Sequence, residues 1–352
     1  MNLTPTALII LIILIVNVTA HPVEVEVFEG NIRKLSVPNY KRYSITFKEP
    51  KLCDNVKQYS GYFHTPDNKH LFFWFFEARK NPDKAPLTLW LNGGPGCSSM
   101  IGLFQENGPC TATKTKQIHR KASWNEVSNM LYLDQPAGAG FSFGNMVDDT
   151  TELASQDMYK FLQIWLSNFR KYGELPFFIF GESYAEDAHI NYYNILTKDT
   201  DKINEDYIQF LRRPEIKSAL GIPLNMNFTD CDDEVSYRFF EAGDNGFPSQ
   251  QHVAWLLEHD VPVLLYEGDL DYICNWYGNL AYANALPWSG RDTFANQTLK
   301  EWNYMGRPAG RQKRSKNFVF TTIYMAGHEV PYYQPEVSLY MFKTWLEGRR
   351  EF

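Results

Sequence analysis

The stretch Phe177-Phe-Ile-Phe-Gly-Glu-Ser-Tyr-Ala185 decides the fold class of this sequence. Residues 177–180 are a short run of apolar β-formers, and the pattern becomes helical after Ala185. Gly181 and Ala185 lie two positions before and after Ser183. Such small residues allow the chain to turn sharply enough to raise a serine hydroxyl above a sheet. The stretch therefore predicts a strand, a tight turn and a helix, with Ser183 as a nucleophile.

The remainder of the chain follows an α/β pattern. From residue 60 onward, short apolar runs alternate with helical patterns, which is typical of strands joined by crossover helices. The strand candidates are residues 70–77, 86–91, 130–133, 177–180, 261–266 and 317–323. The helix candidates are residues 151–172, 207–220 and 334–346. With the turn at Ser183, this pattern predicts the α/β-hydrolase fold, a mostly parallel central sheet flanked by helices.

A nucleophilic serine needs a base and an acid that orients the base. In this fold both come later in the chain, on loops that follow strands. Asp269 and Asp271 follow the candidate strand 261–266, and His328 follows the candidate strand 317–323. Taken singly, such residues would more often be a helix cap and a surface histidine. In the order Ser, Asp, His, each after a strand, they predict a catalytic triad with Asp269 or Asp271 as the acid.

A second glycine-rich turn, Asn92-Gly93-Gly94-Pro95-Gly96, follows the candidate strand 86–91. Acyl chemistry needs hydrogen-bond donors for a developing oxyanion, and bare backbone at Gly93 and Gly94 can approach a substrate closely. An ordinary Gly/Pro turn is the alternative. A phosphate-binding loop is excluded because no Lys-Ser/Thr pair follows the glycines.

Composition and charge narrow the class of protein. Of the 352 residues, 44% are apolar and 16% are aromatic, which excludes a disordered or fibrous chain. The net charge of −7, without a long basic tract, argues against binding to nucleic acid or to an anionic membrane surface.

Residues 1–20 predict a signal peptide, because Ala7 to Val16 are apolar and a small-residue cleavage pattern ends at Ala20. Ten apolar residues cannot span a bilayer, so we expect no membrane anchor after cleavage. An uncleaved anchor is the alternative. Residues 21–50 predict an N-terminal arm or short pro-segment, and cleavage after Arg42 is a hypothesis. Residues 51–352 predict a single domain.

Five cysteines in an oxidising compartment predict disulfides and one thiol left over. They are Cys53, Cys97, Cys110, Cys231 and Cys274. The sequons at Asn227 and Asn296 predict glycosylation on surface loops.

Several longer motifs, in one order, resemble the serine carboxypeptidases of the carboxypeptidase Y type. The motifs are WLNGGPGCSS (90–99), ENGP (106–109), LDQPAGAGFSF (133–143), GESYA (181–185), GDLDYICNWYGN (268–279) and GHEVPYYQPE (327–336). The resemblance covers residues 59–189 and then Tyr207 to the C-terminus. Several long motifs in order are far more specific than any single one.

The resemblance implies the α/β-hydrolase fold and a serine-type carboxypeptidase that needs no metal or cofactor. It implies Ser183 as the nucleophile, His328 as base and then acid, and Asp271 as the residue that orients His328. The oxyanion donors would be the backbone N–H groups of Gly94 and Tyr184. The substrates would be the C-termini of peptides and proteins, and the location would be secreted or vacuolar/lysosomal. The oligomeric state stays open.

The resemblance also implies that Asn92, Glu106 and Glu182 bind the C-terminal carboxylate of the substrate. A glutamic acid can hydrogen-bond a carboxylate only while it is protonated, because two ionised carboxylates repel each other. Exopeptidase action should then favour acid pH. Taken alone, the two glutamates would be surface charges.

The resemblance further implies two disulfides and a free thiol in the substrate pocket: Cys97 with Cys231, Cys53 with Cys110 as the remaining pair, and Cys274 unpaired. Glu329 follows the predicted catalytic histidine and would line the leaving-group side of the pocket. A preference for basic leaving residues is the corresponding hypothesis.

The chain departs from the family after Ala185. A core strand and the family's cap insertion are absent between Ile195 and Tyr207. The absent strand would lie between the nucleophile strand and the strand before Asp271. Closing the gap would shift Asp271 relative to the serine by about 4.8 Å, the strand spacing. Leaving the gap open would expose two unpaired strand edges.

Two alternatives therefore accompany the peptidase hypothesis. The first is a catalytically impaired or abridged homologue, which the deletion favours. The second is an acyltransferase with the same triad, because a nucleophile other than water can resolve an acyl-enzyme. The intact set of Asn92, Glu106 and Glu182 favours the peptidase.

Overall fold

A computed structural model describes residues 24–28, 31–36, 40, 42–183, 193–196, 205–246 and 249–352. The chain divides into two compact units. The N-terminal unit comprises Met1–Tyr184 and Asn204–Asn245, and the C-terminal unit comprises Ala185–Ile203 and Gly246–Phe352. The predicted extent of the domain, residues 51–352, stays a prediction.

A nine-stranded sheet forms the centre of the N-terminal unit. Its strands are β1 (Glu24–Phe28), β2 (Ile32–Ser36), β3 (Ser44–Lys48), β4 (Gln58–His64), β5 (Lys69–Phe76), β6 (Leu87–Asn92), β9 (Asn129–Leu133), β10 (Phe143–Gly144) and β11 (Phe177–Glu182). The order is β1-β2-β3-β4-β5-β9-β6-β11, with β10 also paired to β5. A separate small hairpin joins β7 (Cys110–Ala112) to β8 (Gln117–His119).

The direction of pairing changes across this sheet. The pairs from β1 to β5 and the pair β5–β9 are antiparallel. The pairs β9–β6 and β6–β11 are parallel. The parallel part therefore contains the strand before Ser183 and the strand before Gly93, so that both turns leave the same edge of the sheet.

Strands β1, β2 and β3 lie in residues 21–50, where the sequence predicts an N-terminal arm or short pro-segment and indicates no strand. All three are five residues long and pair antiparallel within the sheet. Only Leu35 of β2 is buried, and β3 buries Ile45 and Phe47 on one face. Such short strands, with charged residues between few apolar ones, carry a weak alternation signal.

In its described residues, the N-terminal unit contains the α-helices α1 (Thr151–Asn168), α2 (Arg170–Gly173), α3 (Asp206–Leu211), α4 (Pro214–Leu220) and α5 (Asp233–Glu241). Helix α1 buries Phe161, Leu162 and Trp165 against the aromatic face of the sheet. The predicted helix 207–220 is divided into α3 and α4. Pro214 causes this break because proline lacks an N–H and therefore suits the first turn of a new helix.

A four-stranded sheet forms the centre of the C-terminal unit. Its order is β12 (Val263–Gly268), β15 (Phe318–Ile323), β14 (Arg307–Ser315) and β13 (Lys300–Tyr304). Strands β12 and β15 are parallel, and the other two pairs are antiparallel. The helices are α6 (Gln250–Glu258), α7 (Trp276–Ala285), α8 (Arg291–Ala295), α9 (Val330–Tyr333) and α10 (Pro335–Leu346). Within the described residues, no helix is long and apolar enough to cross a membrane.

Strands β11 and β12 are each the edge of their own sheet. Among the described residues, β11 pairs only with β6, and β12 pairs only with β15. Ile179 of β11 is 40% exposed, whereas every residue of the interior strand β9 is buried. These are the two strands that should flank the core strand absent from the sequence.

Candidate active site

Ser183 lies directly after β11, in the sharp turn that the sequence predicts. Its φ of 62° lies in the left-handed region, which is unusual for a residue with a side chain and typical of a nucleophile elbow. A Cβ at Gly93 would lie 2.4 Å from the Ser183 carbonyl oxygen, so only glycine allows the two turns to approach this closely. Tyr184, the second predicted oxyanion donor, lies outside the described residues.

The turn that carries Gly94 is fixed on several sides. Gly94 has a φ of 112°, a value that favours glycine. The following Cys97 forms a disulfide with Cys231. Asp134 is buried and accepts hydrogen bonds from the Ser98 hydroxyl at 2.7 Å and from the Ser99 N–H at 2.9 Å. These contacts hold the backbone of the turn in place beside Ser183.

Asn92 and Glu106, two of the three predicted carboxylate-binding residues, are in direct contact. The Asn92 side-chain amide donates to Glu106 Oε1 at 3.1 Å, and both side chains are buried. The Asn92 carbonyl oxygen accepts from the Trp90 indole at 2.7 Å, which fixes the orientation of the amide. Glu106 Oε2 is buried without a hydrogen-bond partner among the described residues. Glu182, the third residue, is the register partner of Asn92 across β6–β11.

Asp271 and His328 form a buried pair in the C-terminal unit. The distance from His328 Nδ1 to Asp271 Oδ2 is 2.8 Å, and each side chain is 3% exposed. The parallel pairing of β12 with β15 causes this, because the loops after both strands leave the same sheet edge. Burial raises the pKa of Asp269, the other candidate acid, although hydrogen bonds from the backbone of Met325 and Ala326 to its carboxylate act in the opposite direction. Of the two candidates, it is Asp271 that contacts His328.

The surroundings of His328 favour its charged form. Burial lowers the pKa of His328, but the hydrogen bond to Asp271 and the adjacent Cys274 raise it by more. Glu267 lies close by, and burial together with the charge of Asp271 raises the pKa of Glu267 well above its ordinary value. The sequence motifs do not single out Glu267, which lies in β12 directly before the motif that contains Asp271.

Tyr193 is a second residue that the sequence analysis misses. Its carbonyl oxygen accepts the His328 N–H at 2.7 Å, and the two rings lie 5.2 Å apart between centroids. A Cβ at Gly327 would lie 2.1 Å from the same carbonyl oxygen. Ile195 N–H donates to Leu270 O at 3.1 Å. Residues 193–196 therefore hold the loops of both His328 and Asp271, and no motif in this stretch indicates that role.

The remaining predicted site residues divide between the two units. Both predicted disulfides, Cys53–Cys110 and Cys97–Cys231, are present, and Cys274 is free and partly buried. Glu329 is buried directly after His328. Asn227 and Asn296 are exposed, as a glycan would require, and their glycosylation stays a prediction.

Comparison with known proteins gives consistent results. Residues 48–190 and 186–348 match the sequence profile of the family described as serine carboxypeptidase. A vacuolar serine-type carboxypeptidase of Saccharomyces cerevisiae is 33% identical over 411 residues, covering 85% of this chain and 81% of that protein. Carboxypeptidase Y of Candida albicans is 32% identical over 429 residues, covering 91% of this chain and 79% of that protein.

The fold comparison agrees with these matches. The crystal structure of a prohormone-processing carboxypeptidase from Saccharomyces cerevisiae superposes with a TM-score of 0.74 at 19% sequence identity. It covers 85% of this chain and 93% of that chain, and it confirms the predicted α/β-hydrolase fold.

The alignments also bear on the deletion. The 411 aligned positions exceed the 352 residues of this chain, so the alignment must contain positions at which this chain has a gap. The family profile matches in two segments that meet at residues 186–190. This is the place after Ala185 at which the sequence departs from the family.

Proposed function

This chain belongs to the serine carboxypeptidase family, and on that basis we propose that it hydrolyses C-terminal residues of peptides and proteins through an acyl-enzyme on Ser183. The observation that carries the proposed mechanism is the buried hydrogen bond between Asp271 and His328. It is the arrangement that a general base needs, because the carboxylate fixes the ring orientation and stabilises the imidazolium that forms.

In the proposed reaction, His328 accepts the proton of the Ser183 hydroxyl as the oxygen attacks the carbonyl carbon of the scissile bond. The tetrahedral oxyanion accepts hydrogen bonds from the backbone N–H groups of Gly94 and Tyr184. His328 then gives its proton to the leaving amine, and an acyl-enzyme remains. Water, activated by His328, hydrolyses this ester and restores Ser183.

The exopeptidase preference would come from Asn92, Glu106 and Glu182. The Asn92–Glu106 hydrogen bond supports this assignment, and so does the buried Oε2 of Glu106. A protonated Glu106 could donate from Oε2 to the C-terminal carboxylate of a substrate, whereas an ionised Glu106 would repel it.

This assignment predicts a pH-dependent KM. We expect the KM for a blocked dipeptide to rise with pH, because an ionised carboxyl group at this position repels the substrate carboxylate, with a smaller change in kcat. Steady-state kinetics between about pH 4 and 8 would measure both constants. A KM that stays flat over this range contradicts the assignment. A dipeptide amide, which lacks the carboxylate, is the matched substrate control and should show no such rise.

The direct test of the proposed function is release of a C-terminal amino acid from a blocked dipeptide at about pH 5. Ser183→Ala should abolish release. Ser167→Ala, which removes a hydroxyl from helix α1, should retain it. Equal activity of Ser183→Ala and the unmodified chain would exclude Ser183 as the nucleophile.

Two alternatives are distinguished by the same assay. Among the described strands, β11 and β12 each pair on one side only, which favours a catalytically impaired homologue. For such a homologue, no release is expected from the folded unmodified chain. An acyltransferase would instead transfer the acyl group to an added alcohol or amine in preference to water. We further propose that the chain enters the secretory pathway and acts in a vacuole, a lysosome or outside the cell, in agreement with its two disulfides.

A further inference from the structure

Three side chains with different metal-binding atoms converge in the C-terminal unit. Asp271, Cys274 and His328 each offer one donor atom, and these atoms all lie within 4.8 Å of one another. Asp271 and His328 are buried, while Cys274 is partly exposed. A cation from solution could therefore reach the cluster from the side of the thiol.

The cluster is held in place by contacts that are already formed. Asp271 Oδ1 accepts the Cys274 N–H at 3.1 Å, which fixes the short turn that carries both side chains. The other oxygen of Asp271 holds the imidazole at 2.8 Å. The backbone of His328 is fixed in turn by the carbonyl oxygen of Tyr193. A bound ion would replace the hydrogen bond between Asp271 and His328, and the chain would need little further ordering.

The donor set selects the class of ion. A thiolate, an imidazole nitrogen and a carboxylate oxygen are the ligands that Zn²⁺ takes in proteins. Calcium and magnesium prefer sets made of oxygen alone. Three protein ligands leave a fourth tetrahedral position for water.

We propose that Asp271, Cys274 and His328 bind Zn²⁺ and that the bound ion blocks catalysis. The block rests on the proposed function, because a metal-bound imidazole has no lone pair left to accept the proton of Ser183. On binding, the Cys274 thiol and the His328 imidazolium each lose a proton to solvent, and the sulfur and the imidazole nitrogen form bonds to the metal. The ion is an inhibitor of the enzyme and takes no part in the reaction.

Cobalt substitution tests the site without reference to activity. The other four cysteines are in disulfides, so a thiolate-to-cobalt charge-transfer band in the full-length protein can arise only from Cys274. We expect Co²⁺ to produce this band and Zn²⁺ to remove it by displacement. Cys274→Ser should lose the band and bind Zn²⁺ at least about tenfold more weakly, because a hydroxyl is a poor replacement for a thiolate ligand.

Two further variants test whether Asp271 is one of the ligands. Asp271→Asn should weaken Co²⁺ binding, whereas Asp269→Asn, on the same loop, should leave the band unchanged. Circular dichroism of each variant establishes that it is folded. The absence of a band in the unmodified protein, or a band that persists in Cys274→Ser, overturns the proposed site.

The two proposals can fail separately. Ser183→Ala should bind Co²⁺ like the unmodified protein, whatever its activity. If the unmodified protein shows the band but no peptidase activity, the metal site stands and the proposed function fails. If it is active, Zn²⁺ should inhibit it and a chelator should restore activity. Activity that is unaffected at Zn²⁺ concentrations that displace Co²⁺ would overturn the proposed block.

Discussion

Through its hydrogen bond to His328, the Asp271 carboxylate influences the pKa and the tautomer of the imidazole. Because Asp271 is the strongest of the contributions that raise the pKa of His328, we predict that Asp271→Asn lowers this pKa. The same change should reduce kcat by about 10⁴-fold, since an amide no longer favours the required tautomer. An NMR titration of His328 measures the first effect, and steady-state kinetics measure the second.

The control for this prediction is Asp269→Asn. Asp269 lies on the same loop but is hydrogen-bonded by the backbone of Met325 and Ala326. The Asp269→Asn variant should leave the pKa of His328 close to that in the unmodified protein. An unchanged titration in Asp271→Asn would mean that this carboxylate does not set the state of the ring.

Lys69 illustrates how a single buried charge affects stability. Its ammonium group lies 2.8 Å from Asp148 and 2.5 Å from Asp157, and all three side chains are less than a tenth exposed. Burial lowers the pKa of Lys69, but these two carboxylates raise it by more. The cation is therefore retained inside the protein by its partners.

We predict that Lys69→Met destabilises the fold by about 3–5 kcal/mol, because two carboxylates would stay buried without a cation. Urea unfolding at neutral pH measures this change. Lys343→Met is the matched control, since Lys343 is 54% exposed and its partner Glu347 is 45% exposed. An exposed pair of this kind contributes at most about 1 kcal/mol. Equal losses in the two variants would refute the importance of burial.

Some residues of the site carry a signal in the sequence and others do not. Ser183, Asp271 and His328 stand in motifs directly after apolar strands, so their positions on one type of sheet edge can be predicted. Tyr193 acts through its carbonyl oxygen, which every residue has, and it comes from a stretch without a motif. Its contact with His328 depends on the path of the chain through space, and no local pattern encodes that path.

Among the secondary-structure elements, the edge strand β11 is the one that we expect to affect self-association. An apolar strand with one edge that pairs with no other described strand offers a template for another chain. We predict that Ile179→Lys reduces self-association, because a charged side chain on an edge strand opposes pairing with a second copy. Sedimentation velocity over a range of protein concentrations measures this effect.

Val147→Lys is the control for that prediction. Val147 is 55% exposed and lies outside any strand, so the same type of change should leave self-association unaltered. A similar decrease in both variants would show that net charge, and not the edge of β11, controls association.

The elements differ in how far the sequence determines them. Strands β5, β6, β9 and β15 follow dense apolar runs, and each begins and ends within a residue or two of its predicted bounds. The hairpin of β13 and β14 escapes prediction because β14 is Arg307–Ser315, a run with four cations. Its pairing partners, and not its composition, make it a strand. The same holds for the short strands β1 to β3.

At the scale of the whole molecule, stability should depend on pH through Asp134. Burial raises the pKa of Asp134 to about 7 from an ordinary value of 3.8, although three hydrogen bonds favour the carboxylate. The folded protein therefore binds this proton more tightly than the unfolded chain. Stability from Asp134 is greatest at acid pH and falls as the pH rises toward 7, on the order of 1 kcal/mol per pH unit.

We predict that Asp134→Asn removes this part of the pH dependence. The variant should be less stable than the unmodified protein at every pH. In the unmodified protein the Phe141 N–H donates to the Asp134 carboxylate, whereas an amide NH₂ in that position would place two donors opposite each other. Its free energy of unfolding should nevertheless fall less between about pH 4 and 7. Urea unfolding at several pH values measures the two slopes, and identical slopes would contradict the assignment to Asp134.

The N-terminal unit is formed by two separate segments of the chain, and this affects the order in which its disulfides can form. Cys97 and its partner Cys231 are 134 residues apart, whereas Cys53 and Cys110 are 57 apart. At a synthesis rate of about 5–20 residues per second, Cys97 waits about 7 to 27 seconds for Cys231, which is 134 residues away, while two other thiols are already present. During that interval Cys97 can form a mixed bridge with either of them. Thiol exchange would then be needed to convert such a bridge into the pairing that fixes the turn beside Ser183.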